Sequence, residues 1–306
     1  MPTDRRPSVF EGTMLLMLCM LLLTVLPGVA ESTIWAALVG ETLAVLLPVL
    51  IFLRAERADL RIALRLHPVP VWGLAVSAVA GAAMWVPATT MASAVAYLYS
   101  LGGRMPPTQL PPLATPVDLV KSLLVVGALV AFAEESLFRG FLYRAYEPAG
   151  GPAAVVLTAL FFAFFHPSAL SFIPALFSGL IAGWLSFRFN SLWAAVAAHF
   201  ANNTTALVTG YVLGESAEAV VTLKELGSLF LTSVGALALL AACLWLAGRS
   251  GSAGRPAGAG AGTGAAVKEQ LRLTFSRWPA RVVLFLFLLN ATLEILYVVG
   301  FFKVTG

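Results

Sequence analysis

The chain has 306 residues, 59% hydrophobic and 11% charged, with mean hydropathy +0.90 and a formal net charge of +4. Soluble domains carry about 25% charged residues, so an ordinary soluble fold is excluded. Nothing alternates with period two over ten residues, which excludes a transmembrane β-barrel. The pI near 9.3 does not point to nucleic acid, because the basic residues fall between apolar stretches. Cys19 and Cys243 lie inside such stretches and imply packing or lipid contact rather than a disulfide framework.

In chain order, apolar stretches of about spanning length run near 14–30, 33–53, 71–99, 119–143, 152–166, 169–187, 192–213, 228–247 and 282–302. They predict an all-α, polytopic transmembrane bundle of eight or nine spans, with 152–166 short for a full crossing. The first stretch, "RRPSVFEGTMLLMLCMLLLTVLPGVAES", also fits a signal peptide ending at Ala30. The alternation of charge along the chain favours a retained span.

Residues 54–70 form a basic connection in which Leu60, Ile62, Leu64 and Leu66 mix with Arg54, Arg57, Arg61 and Arg65, a composition suited to an anionic membrane surface. Residues 101–117, "LGGRMPPTQLPPLATPV", read as a Pro-rich loop without helix, and 250–270 as a flexible Gly/Ala-rich linker. The organisation that follows is amino-terminal helices over 1–117, a core over 118–213, a further helix over 214–249, the linker over 250–270, and a carboxyl-terminal helix over 271–306 that looks dispensable. Most basic residues, from Arg5 and Arg6 to Arg281, fall on one side, and Arg104, Lys121, Lys224 and Lys303 fall on the other. The positive-inside rule then places the amino terminus in the cytoplasm, and the composition suggests a bacterial inner membrane.

"AFAEESLFRG", residues 131–140, carries two glutamates and an arginine within an apolar stretch. Charge at membrane depth is costly and marks function by default. Glu135 and Arg139 are four apart on a helix and can pair. Glu134 points about 100° away and faces another wall. Of three histidines, His67 reads as a surface residue, while His166 and His199 lie in apolar surroundings on separate stretches. Asn203 shares the face of His199, whereas Asn202 points elsewhere. Glu134, His166, His199 and Asn203 brought together supply a base for water and donors for an oxyanion, the requirements of peptide hydrolysis at membrane depth.

Glu134-Glu135-x-x-x-Arg139, Phe162-x-x-x-His166 and His199-x-x-x-Asn203 resemble, in order, the motifs of the CPBP intramembrane proteases. These are the type II CAAX prenyl endopeptidases and bacterial relatives linked to bacteriocin processing and immunity. "FSGLIAGWLSFRFNSLWAAVAAHFANN", with Phe177, Gly179, Gly183, Ser191, Leu192 and Trp193, resembles the approach to the last motif, and the resemblance covers roughly 118–206. It implies helices around a cavity open to the cytosol, with Glu134 as base and His166 holding the water. It places His199 and Asn203 at the oxyanion, with Glu135 and Arg139 in support. The implied partners are the lipid bilayer and a membrane-associated protein or peptide substrate: a CAAX-like tail, a peptide precursor or a sorting tail.

His166, His199 and Glu134 would also make a two-His, one-carboxylate zinc set. There is no His-Glu-x-x-His, and Asn203 beside His199 suits an oxyanion donor, so a metal-free mechanism is favoured, with zinc the alternative. A transporter, or a non-catalytic immunity or chaperone protein, would also bury such groups. Glu41, Asn290 and Glu294 are intramembrane polar residues that the protease reading leaves without a role.

Overall fold

A computed structural model describes residues 5–26, 32–106, 111–214, 222–249 and 264–301. It is all-helical, with no strand among the described residues. The helices are α1 (Val9–Val25), α2 (Thr33–Ala55), α3 (Leu60–Ala63), α4 (Val71–Leu101), α5 (Pro116–Ala149), α6 (Gly151–Phe165), α7 (Ala169–Phe189), α8 (Leu192–Leu213), α9 (Leu223–Arg249), α10 (Gly264–Phe275) and α11 (Trp278–Val298). The chain is an integral membrane protein. Six helices, α2, α4, α5, α7, α9 and α11, are long and apolar enough to cross a bilayer. The remaining stretches read as spans are α1 and α6, which are shorter, and α8, made more polar by His199, Asn202, Asn203, Thr204 and Thr205.

Local chemistry sets the ends. At the start of α1, Ser8 and Glu11 form a reciprocal capping box, and Thr115 and Asp118 do the same at the start of α5, where Pro116 takes the first turn. The helix therefore begins inside the loop expected over 101–117, and 107–110 of that loop lie outside the described residues. At the α7–α8 turn Asn190 adopts the left-handed conformation (φ 48°), and the Ser191 hydroxyl accepts from Trp193 N.

The helices pack in two apolar clusters, the smaller one joining α4, α7, α8 and α9. To the larger, α1 contributes Leu16 and Cys19, α5 Leu137, Phe138 and Phe141, α6 Leu157 and Phe161, and α11 Val283 and Phe287. Residues 9–25 are thus built into the fold as a helix, while 27–31, the end of the signal-peptide reading, lie outside the described residues. Cys243 of α9, which packs on α4 and α7, is buried in the smaller cluster, so both cysteines are free packing residues. A Cβ on Gly81 of α4 would stand 2.0 Å from the carbonyl oxygen of Ala198 on α8, so only glycine permits this approach. The backbone winds wide, with π-helical turns, over 40–46 in α2 and over 123–129 and 136–142 in α5. Such turns are rare and gather at functional sites.

Three expectations need correction. The 54–70 connection is not wholly a surface segment. Arg65 is buried, stacks on the Tyr143 ring at 4.2 Å and donates to the Ser186 hydroxyl and carbonyl and to Asn190 Oδ1. Its guanidinium finds acceptors there that lipid headgroups would otherwise supply, and burial lowers its pKa. Residues 264–270 of the expected linker belong to α10, while 250–263 lie outside the described residues. His67 is half-buried and its carbonyl accepts from the Ser191 hydroxyl, which ties the connection to the start of α8.

Candidate active site

The wide turn at 136–142 follows directly on Glu134 and Glu135 at the end of a regular α-helical stretch of α5. Despite that winding, the four-residue spacing delivers its pair: Arg139 Nη1 donates to Glu135 Oε1 at 2.9 Å, with both side chains fully buried. Arg139 Nη2 donates to the carbonyl of Gly179 on α7 at 2.8 Å, and the guanidinium lies over the Phe162 ring at 4.6 Å. Gly179 sits where α7 closes on Ala159 of α6, a Cβ there meeting Ala159 Cα at 3.1 Å. The arginine therefore bonds to α5 and α7 and stacks on α6.

Glu135 has a second partner. His199 Nδ1 donates to Glu135 Oε1 at 2.8 Å, so a chain of hydrogen bonds runs Arg139–Glu135–His199 across α5 and α8. That bond fixes the imidazole and turns Nε2 toward Glu134 Oε2, 3.8 Å away. Glu134 is itself buried, and its Oε2 has no hydrogen-bond partner. The two neighbouring carboxylates are thus inequivalent: Glu135 Oε1 is held by a cation and a ring, and Glu134 makes only the longer approach to the same ring, while the Oε2 of each is buried without a partner.

His166 ends α6, its Nδ1 donating to the Phe162 carbonyl at 2.9 Å, which leaves Nε2 available. Phe162 packs against both histidine rings, at 4.7 Å from His166 and 5.9 Å from His199. Asn203 Nδ2 donates to the Val126 carbonyl at 2.9 Å, at the first wide turn of α5, and Asn203 Oδ1 accepts from Asn202 Nδ2 at 3.2 Å. The expectation that Asn202 points elsewhere is corrected: both asparagines share one wall.

These groups surround a cavity of about 240 Å³ lined by Glu135, Arg139, His166, His199, Asn202 and Asn203. A mostly apolar wall comes from α4, with Met84, Trp85, Ala88, Thr89 and Ala92. Glu134 is not among the lining residues; it adjoins the cavity through His199, at the distance already given. Sequence reasoning missed the α4 wall, whose small and apolar residues look like any span. Glu41 was legible only as an unexplained charge. It is buried on the wide turn of α2, has an unpartnered Oε2, and feels the charge of Glu134.

Among the described residues, no group of three His, Cys, Asp or Glu is placed to hold a metal ion. His199 Nδ1 and His166 Nδ1 are taken by protein acceptors, and the donors that a zinc set needs do not converge, so no step is routed through a metal.

Residues 116–205 match the family model described as type II CAAX prenyl endopeptidase Rce1-like, which leaves 1–115 and 206–306 outside the match. No curated protein and no solved structure matches the chain significantly.

Proposed function

We propose that this membrane protein, whose residues 116–205 match the Rce1-like family model, hydrolyses a peptide bond of a membrane-associated protein or peptide by water that Glu134 activates. The observation that carries this reading is the Arg139–Glu135–His199 chain, which ties up Glu135 and not Glu134, 3.8 Å from the same imidazole. Glu135 is neutralised and committed to orienting His199, so Glu134 is the carboxylate left to accept a proton.

In the proposed reaction Glu134 takes a proton from water as the oxygen attacks the scissile carbonyl. His166 Nε2 holds that water. The tetrahedral oxyanion forms beside His199 and Asn203. With Nδ1–H committed to Glu135, His199 Nε2 donates to the oxyanion as an imidazolium, with the Glu135 carboxylate as its counter-charge. Asn203 offers the amide hydrogen not given to Val126. Collapse of the intermediate expels the amine, which receives the proton held by Glu134, and both protein groups return to their starting state. Arg139 touches none of the reacting atoms and holds Glu135 in place.

The apolar wall of α4 suits an extended, apolar stretch of substrate rather than a folded domain. A CAAX-like tail, a peptide precursor and a sorting tail are the candidates, and clustering of basic residues at one end of the bundle favours entry from the cytoplasmic side. Comparison of protein termini in membranes carrying the wild type and Glu134→Gln tests the reading. Termini that appear only with the wild type name the substrate, and identical termini in both would refute it.

A further inference from the structure

The last helix, outside the family match, holds a carboxylate in an apolar span that the mechanism does not use. We propose that Glu294 of α11 is a positioning residue for His166. Its role in catalysis rests on the proteolytic reading; its role in holding the ring does not.

The turn that carries His166 is short of partners of its own. Pro167 has no N–H to give, and Ser168, which precedes α7, makes no side-chain cap to that helix. The first amides of α7 would stand as orphans in an apolar setting. Glu294 supplies what is missing from 125 residues away in sequence: Oε2 accepts from Ala169 N at 2.9 Å, and Oε1 accepts from the Ser168 hydroxyl at 3.0 Å. Ser168 N in turn donates to the His166 carbonyl at 2.7 Å. A negative charge at a helix N-terminus is also favoured by the helix dipole.

A second contact from the same helix grips the same turn. Phe287, two helical turns before Glu294, packs on Phe164 at 5.3 Å and on Phe172 at 5.0 Å, one ring on each side of His166 in the chain. α11 thus clamps the end of α6 to the start of α7 with one apolar and one charged side chain. The hydrogen bond from His166 Nδ1 to Phe162 orients the ring only if the turn stays in register with α6. Glu294 maintains that register, and this gives a function to a carboxylate whose burial is otherwise costly.

The test uses the full chain in lipid nanodiscs with 13Cε1-labelled histidine, where His67, His166 and His199 are assigned by single substitution. Glu294→Ala should shift the His166 resonance and leave those of His67 and His199 in place, and Glu294→Gln, which keeps an acceptor, should shift it less. On an S-farnesylated peptide ending in a CAAX tail, Glu294→Ala should lower kcat by up to about 10²-fold, the effect of a small misplacement of a reacting group, with KM unchanged and partial rescue in Glu294→Gln. An unmoved His166 signal, or all three signals moving together, would overturn the proposal. Should the wild type leave this peptide uncut, that counts against the prenyl-tail substrate, while the resonance measurement still decides whether Glu294 places His166.

Discussion

Replacing Arg139 with methionine removes the charge at the centre of the site while filling most of its volume. The side chain is fully buried, so nothing it releases can be recovered by water. Glu135 keeps His199 as its remaining partner, and stranding one half of a buried pair costs about 3–5 kcal/mol. The Gly179 carbonyl also loses its donor, adding about 1–3 kcal/mol. Methionine packs against the Phe162 face that the guanidinium covered, so the cavity contribution is small. The loss is comparable with the 5–15 kcal/mol that holds a typical domain together, and yield should drop sharply. The double variant Glu135→Gln/Arg139→Met removes both charges of the pair, and the amide oxygen still accepts from His199 Nδ1. It should recover to within about 1–3 kcal/mol of wild type, because replacing both partners is often close to neutral and only the Gly179 carbonyl stays without its donor. Reversible unfolding in mixed micelles, run as a double-mutant cycle, measures both numbers. A single variant that loses less than about 1 kcal/mol, or a double variant no better than the single, would refute the claim that this pair is mutually dependent.

Glu134→Gln should abolish cleavage and leave unfolding near wild type, because the oxygen it replaces has no hydrogen-bond partner to lose; substantial residual turnover would remove Glu134 from the role of base. Asn203→Ala should lower kcat by about 10²–10³ with little change in KM, while dialysis against a strong chelator leaves wild-type activity intact and elemental analysis finds no stoichiometric zinc. One zinc per chain, with activity restored by zinc alone, would reassign Glu134, His166 and His199 as ligands. Gly81→Leu should cost at least the 1–3 kcal/mol of an overpacked contact, since its Cβ would meet the Ala198 carbonyl beside His199; thermal melts that match wild type would show that α4 and α8 can separate freely. Cysteines placed at 147–149, the part of this turn that is not buried, should react with an impermeant thiol reagent only from the cytoplasmic side, and labelling from outside would invert the topology.

Composition alone determined that this is a helical membrane protein, because hydrocarbon leaves the backbone no partner but itself. Local spacing determined the Glu135–Arg139 pair, since residues four apart meet on nearly any helix, even one wound wide at that point. The three motifs named the family segment, because reactive groups in an apolar run are too costly to be accidental. Contacts across helices were beyond such reading. His199 could be matched with Asn203 by spacing, yet its partner is Glu135, 64 positions earlier. Arg65 was indistinguishable from its basic neighbours until Tyr143 and Ser186 enclosed it. Glu41 and Glu294 were visible as anomalies, but what they face, Glu134 for one and the start of α7 for the other, depends on how α2 and α11 are rotated in the bundle. In an apolar solvent every face of a helix is nearly as hydrophobic as the next, so sequence periodicity carries little record of rotation, and only packing decides which wall each charge meets.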